Sequence, residues 1–138
     1  MLLKHPQRAI NSKTTYPRAI LKRVEEHFCV PWNNKLDDTV EFIYELDNGE
    51  EVKETFTYSL EKSSFLAKAI YKITGKYPNK EIAFDTDLII GKVCYIKVVE
   101  FEFKYNQNYK MVMLMGLYDE NYAKKSADNS TDKKVLHE

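Results

Sequence analysis

Cysteine is almost absent from the chain. Cys29 and Cys94 are the two in 138 residues, too few for a disulfide framework and without the CxxC or Cys/His spacing of a zinc site. Histidine is equally sparse: His5, His27 and His137 fall in an opening arm, a connecting segment and the tail, so no metal site is expected. Net charge is also lacking, with 21 basic against 21 acidic side chains, which argues against a binder that works by whole-surface polyelectrolyte attraction. No apolar run approaches the ~20 residues that span a bilayer. The opening Met1-Leu2-Leu3-Lys4-His5-Pro6 has too little apolar core for a secretory signal, so a reducing cytoplasm and no membrane association are the expectation. Gly91-Lys92 has neither the upstream glycine nor the following Ser or Thr of a phosphate loop. Asp85 and Asp87 precede an apolar turn and are expected to cap it rather than to form a catalytic pair. Neither enzyme chemistry nor a cofactor is implied.

What is present is enough for one domain. Hydrophobic residues make up 43% and charged residues 30% of the chain, a globular composition. At this length a single core should bury about two-thirds of the surface the unfolded chain exposes. The charge is segregated along the sequence. Residues 1–35 hold seven basic and two acidic side chains, residues 36–61 one and nine, residues 62–118 nine and five, and residues 119–138 four and five. Such segregation builds either a basic groove beside an acidic face or complementary halves that neutralise each other.

Periodicity places the elements. Residues 1–15 show no sustained period and are expected to be a flexible arm. From Tyr16 to Glu26 alternation gives a first strand, with Pro17 tolerated at its start. Residues 27–34, with Pro31, Trp32 and an Asn pair, suit a loop with a hydrophobic anchor. Val40, Phe42, Tyr44 and Leu46, then Val52, Phe56, Tyr58 and Leu60, alternate with polar residues around Asn48-Gly49, predicting a β-hairpin with a tight primed turn. Phe65, Leu66, Ala69, Ile70 and Ile73 form one apolar helical stripe between a Ser63 or Ser64 cap and a Gly75 stop. The acidic turn at Phe84–Asp87 leads through Gly91 into a long strand over 93–105. Apolar positions there change parity between Val98 and Phe101, predicting a bulge near Val99. A turn over 105–109 leads to a last strand, 109–118, and residues 119–138 suit a disordered tail.

Five strands with one helix between the third and fourth predict a mainly β chain, an OB-fold-like Greek-key barrel over residues 16–118. Three stretches extend this. Tyr16-Pro17-Arg18-Ala19-Ile20-Leu21-Lys22-Arg23-Val24-Glu25-Glu26 is followed by Val40-Glu41-Phe42-Ile43-Tyr44-Glu45-Leu46. Tyr58-Ser59-Leu60-Glu61-Lys62-Ser63-Ser64-Phe65-Leu66 enters the helix, and Phe84-Asp85 runs on to Leu88-Ile89-Ile90-Gly91-Lys92-Val93-Cys94. In these the chain resembles a group of bacteriophage-encoded OB-fold single-stranded DNA-binding proteins associated with phage replication and recombination. The tail, ending Val135-Leu136-His137-Glu138, departs from the strongly acidic tails with which many single-strand binders recruit replication proteins.

The resemblance implies a protein that coats single-stranded DNA without sequence preference in the host cytoplasm, as a homodimer or higher oligomer, with replication or recombination proteins as possible partners. Such binding needs cations along the phosphates and aromatic faces for the bases. The candidates are Arg18, Lys22, Arg23, Lys97, Lys104 and Lys110, with Tyr16, Trp32, Tyr95, Tyr105 and Tyr109. The alternative is an OB-like protein-interaction module, an accessory factor or inhibitor that offers the acidic hairpin of residues 37–61 to a basic partner surface.

Overall fold

The computed structural model describes residues 9–104 and 108–118. These form strands β1 (Ala9–Thr15), β2 (Arg18–Trp32), β3 (Lys35–Leu46) and β4 (Glu51–Thr57), helix α1 (Phe65–Thr74), and strands β5 (Val93–Phe103) and β6 (Tyr109–Leu117). The chain is mainly β, with six antiparallel strands in one sheet.

Local chemistry explains the meander β2–β3–β4. Asn33 and Asn34 both adopt left-handed backbone, at φ 53° and 67°, and join Trp32 to its ladder partner Lys35 through a two-residue primed turn. Residues 27–34, expected as a loop, are thus a strand end and its turn. The irregularity lies one step earlier, at a bulge between His27 and Val30. There Cys29 takes φ 53° and its amide donates to Asp38 Oδ1 at 3.0 Å. The second hairpin also differs from expectation. Gly49 alone has positive φ (86°), its amide donates to Leu46 O, and Leu46 N donates to Glu50 O. This is a three-residue loop with glycine at the left-handed position, not a two-residue primed turn.

Tertiary pairing decides the rest. Residues 9–15, expected in a flexible arm, pair with β5 as a sixth strand, Ser12 with Phe101 and Thr15 with Val98. The same edge of β5 then takes β2, Arg18 opposite Tyr95, and Ile96 N donates to Pro17 O across the break between the two strands. Pro17 has no amide to give, so the ladder lapses there and resumes in the same register. The sheet runs β4-β3-β2-β5-β6, with β1 continuing the β2 edge along β5.

The bulge expected near Val99 is not there. β5 passes Val99 in regular register with both neighbours, Thr14 on one side and Met111 on the other. The irregularity falls at Tyr95/Ile96, where β6 carries Met115 as an extra residue. Parity changes because the strand outruns the core: Cys94, Ile96 and Val98 are buried, whereas Glu100 and Glu102, on the same side, have passed beyond it into solvent.

The core gathers Leu21, Phe42, Tyr44, Phe56, Leu66, Ile70, Ile73, Ile89, Ile96 and Leu114. Each fully buried aliphatic chain there contributes about 1.5–3 kcal/mol. Ser64 Oγ accepts from Ala67 N and caps α1, and Gly75 at φ 80° ends it. The buried stripe is Leu66, Ala67, Ala69, Ile70 and Ile73; Phe65, expected within it, is 78% exposed. Asp85 caps the 3-10 turn Thr86–Leu88 by accepting from Asp87 N. Gly91, at φ 89°, then docks the chain on β2 through Gly91 N to Leu21 O and Leu21 N to Lys92 O.

The sheet curls until β4 approaches β6, but no ladder joins them and it is not closed into a barrel. Side chains bridge the seam instead. Glu54 Oε1 accepts from Leu114 N at 2.9 Å and from Tyr44 Oη at 3.0 Å, while Lys72 Nζ donates to Leu114 O at 2.9 Å. Both backbone groups that a β4–β6 ladder would have paired at Leu114 are satisfied this way.

Candidate nucleic-acid interface

The outward side of β2–β3–β4 carries a ladder of charges. Lys22 pairs with Glu45 and Glu51, Arg23 with Glu25 and Glu51, and Lys53 with Glu41. Hydrogen bonds from Arg23 and then Lys22 hold the Glu51 carboxyl below the usual carboxylate range. Arg18 reaches Asp47 at 2.8 Å, and Lys110 pairs with Glu50 across the β4–β6 seam. Of the two arrangements that the segregated charge allowed, the structure builds the second: the basic first strand and the acidic hairpin neutralise each other. Arg18, Lys22, Arg23 and Lys110 are therefore each paired with a carboxylate rather than lining a basic groove. These pairs are exposed, so each adds little to stability.

A different surface collects the aromatic candidates. Residues directly opposite across an antiparallel ladder share a face. Register therefore places Tyr95, Lys97, Val99, Phe101 and Phe103 of β5 on the face opposite the core residues Cys94, Ile96 and Val98. Tyr109, Met111 and Met113 of β6 and Ser12, Thr14 and Arg18 on the other flank share it. Tyr16, 59% exposed, sits in the break between β1 and β2, level with Lys97. Phe101 stacks on Tyr109 with ring centroids 6.4 Å apart and lies 6.5 Å from Phe103. Tyr95 lies across Gly116, whose added Cβ would meet the ring at 3.8 Å. Arg18 also stands over the Tyr118 ring at 5.4 Å. Among the described residues Lys97 has no carboxylate partner.

Five of the sequence candidates, Tyr16, Arg18, Tyr95, Lys97 and Tyr109, are thus brought onto one face. Trp32 is at the far end of the β2–β3 hairpin, away from this face, its indole N–H donating to Thr57 Oγ1 at 2.9 Å. Lys104 follows the end of β5, and Tyr105 lies outside the described residues. Sequence reasoning missed Phe101, Phe103, Met111 and Met113 as members of this face. The signal was present in the unbroken odd-numbered parity from Tyr95 to Phe103, which the supposed bulge disguised.

Cys94 is fully buried, and burial pushes its thiol up to about 11. Such a group is not a nucleophile near neutral pH. Among the described residues no helix is long and apolar enough to cross a membrane. No protein-family profile matches the chain, and no curated protein does.

Proposed function

We propose that the protein binds single-stranded nucleic acid, without sequence preference, along the outer face of β1–β5–β6. The observation that carries this reading is the convergence of Tyr16, Tyr95, Phe101 and Tyr109 with Lys97 and Arg18 on that face. Tyr16 and Tyr109 are exposed and Tyr95 and Phe101 half-buried, so that their rings offer stacking faces for successive bases, while Lys97, and Arg18 on exchanging Asp47 for a phosphate, accompany the backbone. β5 advances about 20 Å from Tyr95 to Phe101, room for several nucleotides.

The fold we propose is an open relative of the five-stranded Greek-key barrel. Its strand order, β4-β3-β2-β5-β6, follows that barrel's course, with β4 and β6 at the unclosed seam. In oligonucleotide-binding barrels of this kind the second and third strands carry the ligand. Here those strands are β3 and β4, whose outward side bears Glu41, Glu45 and Glu51, so the ligand is assigned to the opposite flank. Together with the resemblance, this suggests a role in coating single strands during phage replication or recombination, in the host cytoplasm. The acidic-hairpin alternative has less to recommend it, because Glu45, Asp47, Glu50 and Glu51 are engaged by the chain's own cations.

Titration into labelled oligo-dT at several salt concentrations tests the reading. Lys97, joined by Arg18 once it exchanges Asp47 for a phosphate, predicts a log-log salt slope of magnitude roughly 1.4, from about 0.7 per neutralised phosphate. Tyr109→Ala or Phe101→Ala should weaken binding about 5- to 150-fold, the equivalent of 1–3 kcal/mol per stacked base. Lys97→Glu should abolish it, and Lys22→Gln should leave it unchanged. Absence of binding at low salt ends the proposal.

A further inference from the structure

We propose that Glu25, His27 and Glu41 form a binding site for a divalent first-row metal ion, with zinc the best fit. Glu25 and His27 are two apart on β2 and so point the same way, and Glu41 of β3 is directly opposite Glu25. Their ligand atoms converge. His27 Nε2 lies 3.0 Å from Glu41 Oε1 and 3.6 Å from Glu25 Oε1, and one ligand atom from each of the three residues falls within 4.8 Å of the others. Bonds of about 2.0–2.1 Å from a tetrahedral zinc put its ligand atoms about 3.3 Å apart, which the two measured separations bracket.

The outer atoms are arranged as a metal centre requires. Glu25 turns its other oxygen, Oε2, to Arg23 Nε at 2.7 Å. Glu41 turns its Oε2 to Lys53 Nζ at 3.3 Å and Thr55 Oγ1 at 3.4 Å. Each carboxylate is thus oriented from behind, with Oε1 presented to the imidazole, as outer partners orient the ligands of metal sites.

A hydrogen-bonded cluster alone accounts for less of this geometry. One Nε2 proton can serve only one of the two Oε1 atoms. A divalent ion serves all three ligand atoms at once. Three protein ligands leave a coordination position for water or a small anion. Glu25 and Glu41 also line a cavity of about 470 Å³, together with Arg23, Lys53 and Lys110. None of the three ligands belongs to the proposed nucleic-acid face, so the two proposals stand apart.

Calorimetric titration of zinc into the full chain should show one ion bound per chain, and binding should weaken on acidification because the ion displaces the Nε2 proton. His27→Ala and Glu41→Gln should each lower the affinity at least tenfold, and Cys29→Ser should not change it. Cobalt should give visible absorption that His27→Ala removes. Thermal unfolding in chelator checks that the variants fold; should His27→Ala not fold, His27→Gln gives the same comparison. The proposal is overturned if the chain takes up no zinc or cobalt, or if His27→Ala and Glu41→Gln bind as tightly as the parent. Binding to His5, His137 or Cys29 would give that second result.

Discussion

Glu54 is a half-buried carboxylate at the β4–β6 seam, and replacing it by glutamine isolates its contribution. Burial pushes its carboxyl from an ordinary 4.5 up to about 6, against the opposing pull of the Tyr44 and Leu114 hydrogen bonds and of Lys72. A raised carboxyl means that the folded chain holds the proton more tightly than the unfolded chain. Below pH 4.5 both states are protonated and the group costs nothing. Between pH 4.5 and about 6 stability falls as pH rises, and above that the cost is constant. A shift of about 1.5 units corresponds to roughly 2 kcal/mol. A glutamine in its place would keep an oxygen for Leu114 N and Tyr44 Oη but never ionise. Urea unfolding of both proteins at fixed ionic strength from pH 4 to 8 should give curves that coincide at the acid end. Above pH 6 they should diverge by up to about 2 kcal/mol, Glu54→Gln being the more stable. Glu41, Glu50 and Glu51, whose carboxyls are held low, titrate in both proteins and cancel in the difference. A difference that does not vary with pH refutes the reasoning. So does a parent that gains on the variant as pH rises, which would mean that Lys72 outweighs burial.

The other side of the seam can be tested through Lys72. Lys72→Met keeps the aliphatic stem but strips Leu114 O of its donor at 2.9 Å, and should cost about 1–3 kcal/mol in urea unfolding; an unchanged midpoint would show that the carbonyl needs no partner. The thiols should separate kinetically: exposed Cys29 should react with a thiol reagent in the native protein, whereas Cys94 should react only after unfolding, and two fast thiols at neutral pH would contradict its burial.

Local pattern went far in this chain. The hairpin around Asn48-Gly49, the helix with its Ser64 cap and Gly75 stop, and the Asp85 cap each depend on contacts within a few residues, which periodicity and capping chemistry record directly. Details of the same elements failed where a distant partner decided them. Phe65 has a place in the helical stripe, yet α1 meets β4 and β6 with Ala67 inward and Phe65 in solvent. The charge runs were equally legible, but whether they would form a groove or cancel was not.

The sequence by itself determined a mainly β chain with one helix, most element positions, and aromatic and basic residues placed on particular strands. Tertiary structure alone decided that residues 9–15 form a strand, because an exposed segment with no period acquires one only from the free edge of β5. It also decided that β5 runs straight through Val99, which is what sets Phe101 beside Tyr109 and on the face of Tyr95 and Lys97. Register between strands far apart in the chain sets which side chains share a face, and neither composition nor local period encodes it. The same long-range pairing puts Glu41 opposite Glu25 and beside His27, a convergence invisible in a sequence where those residues stand among unrelated neighbours.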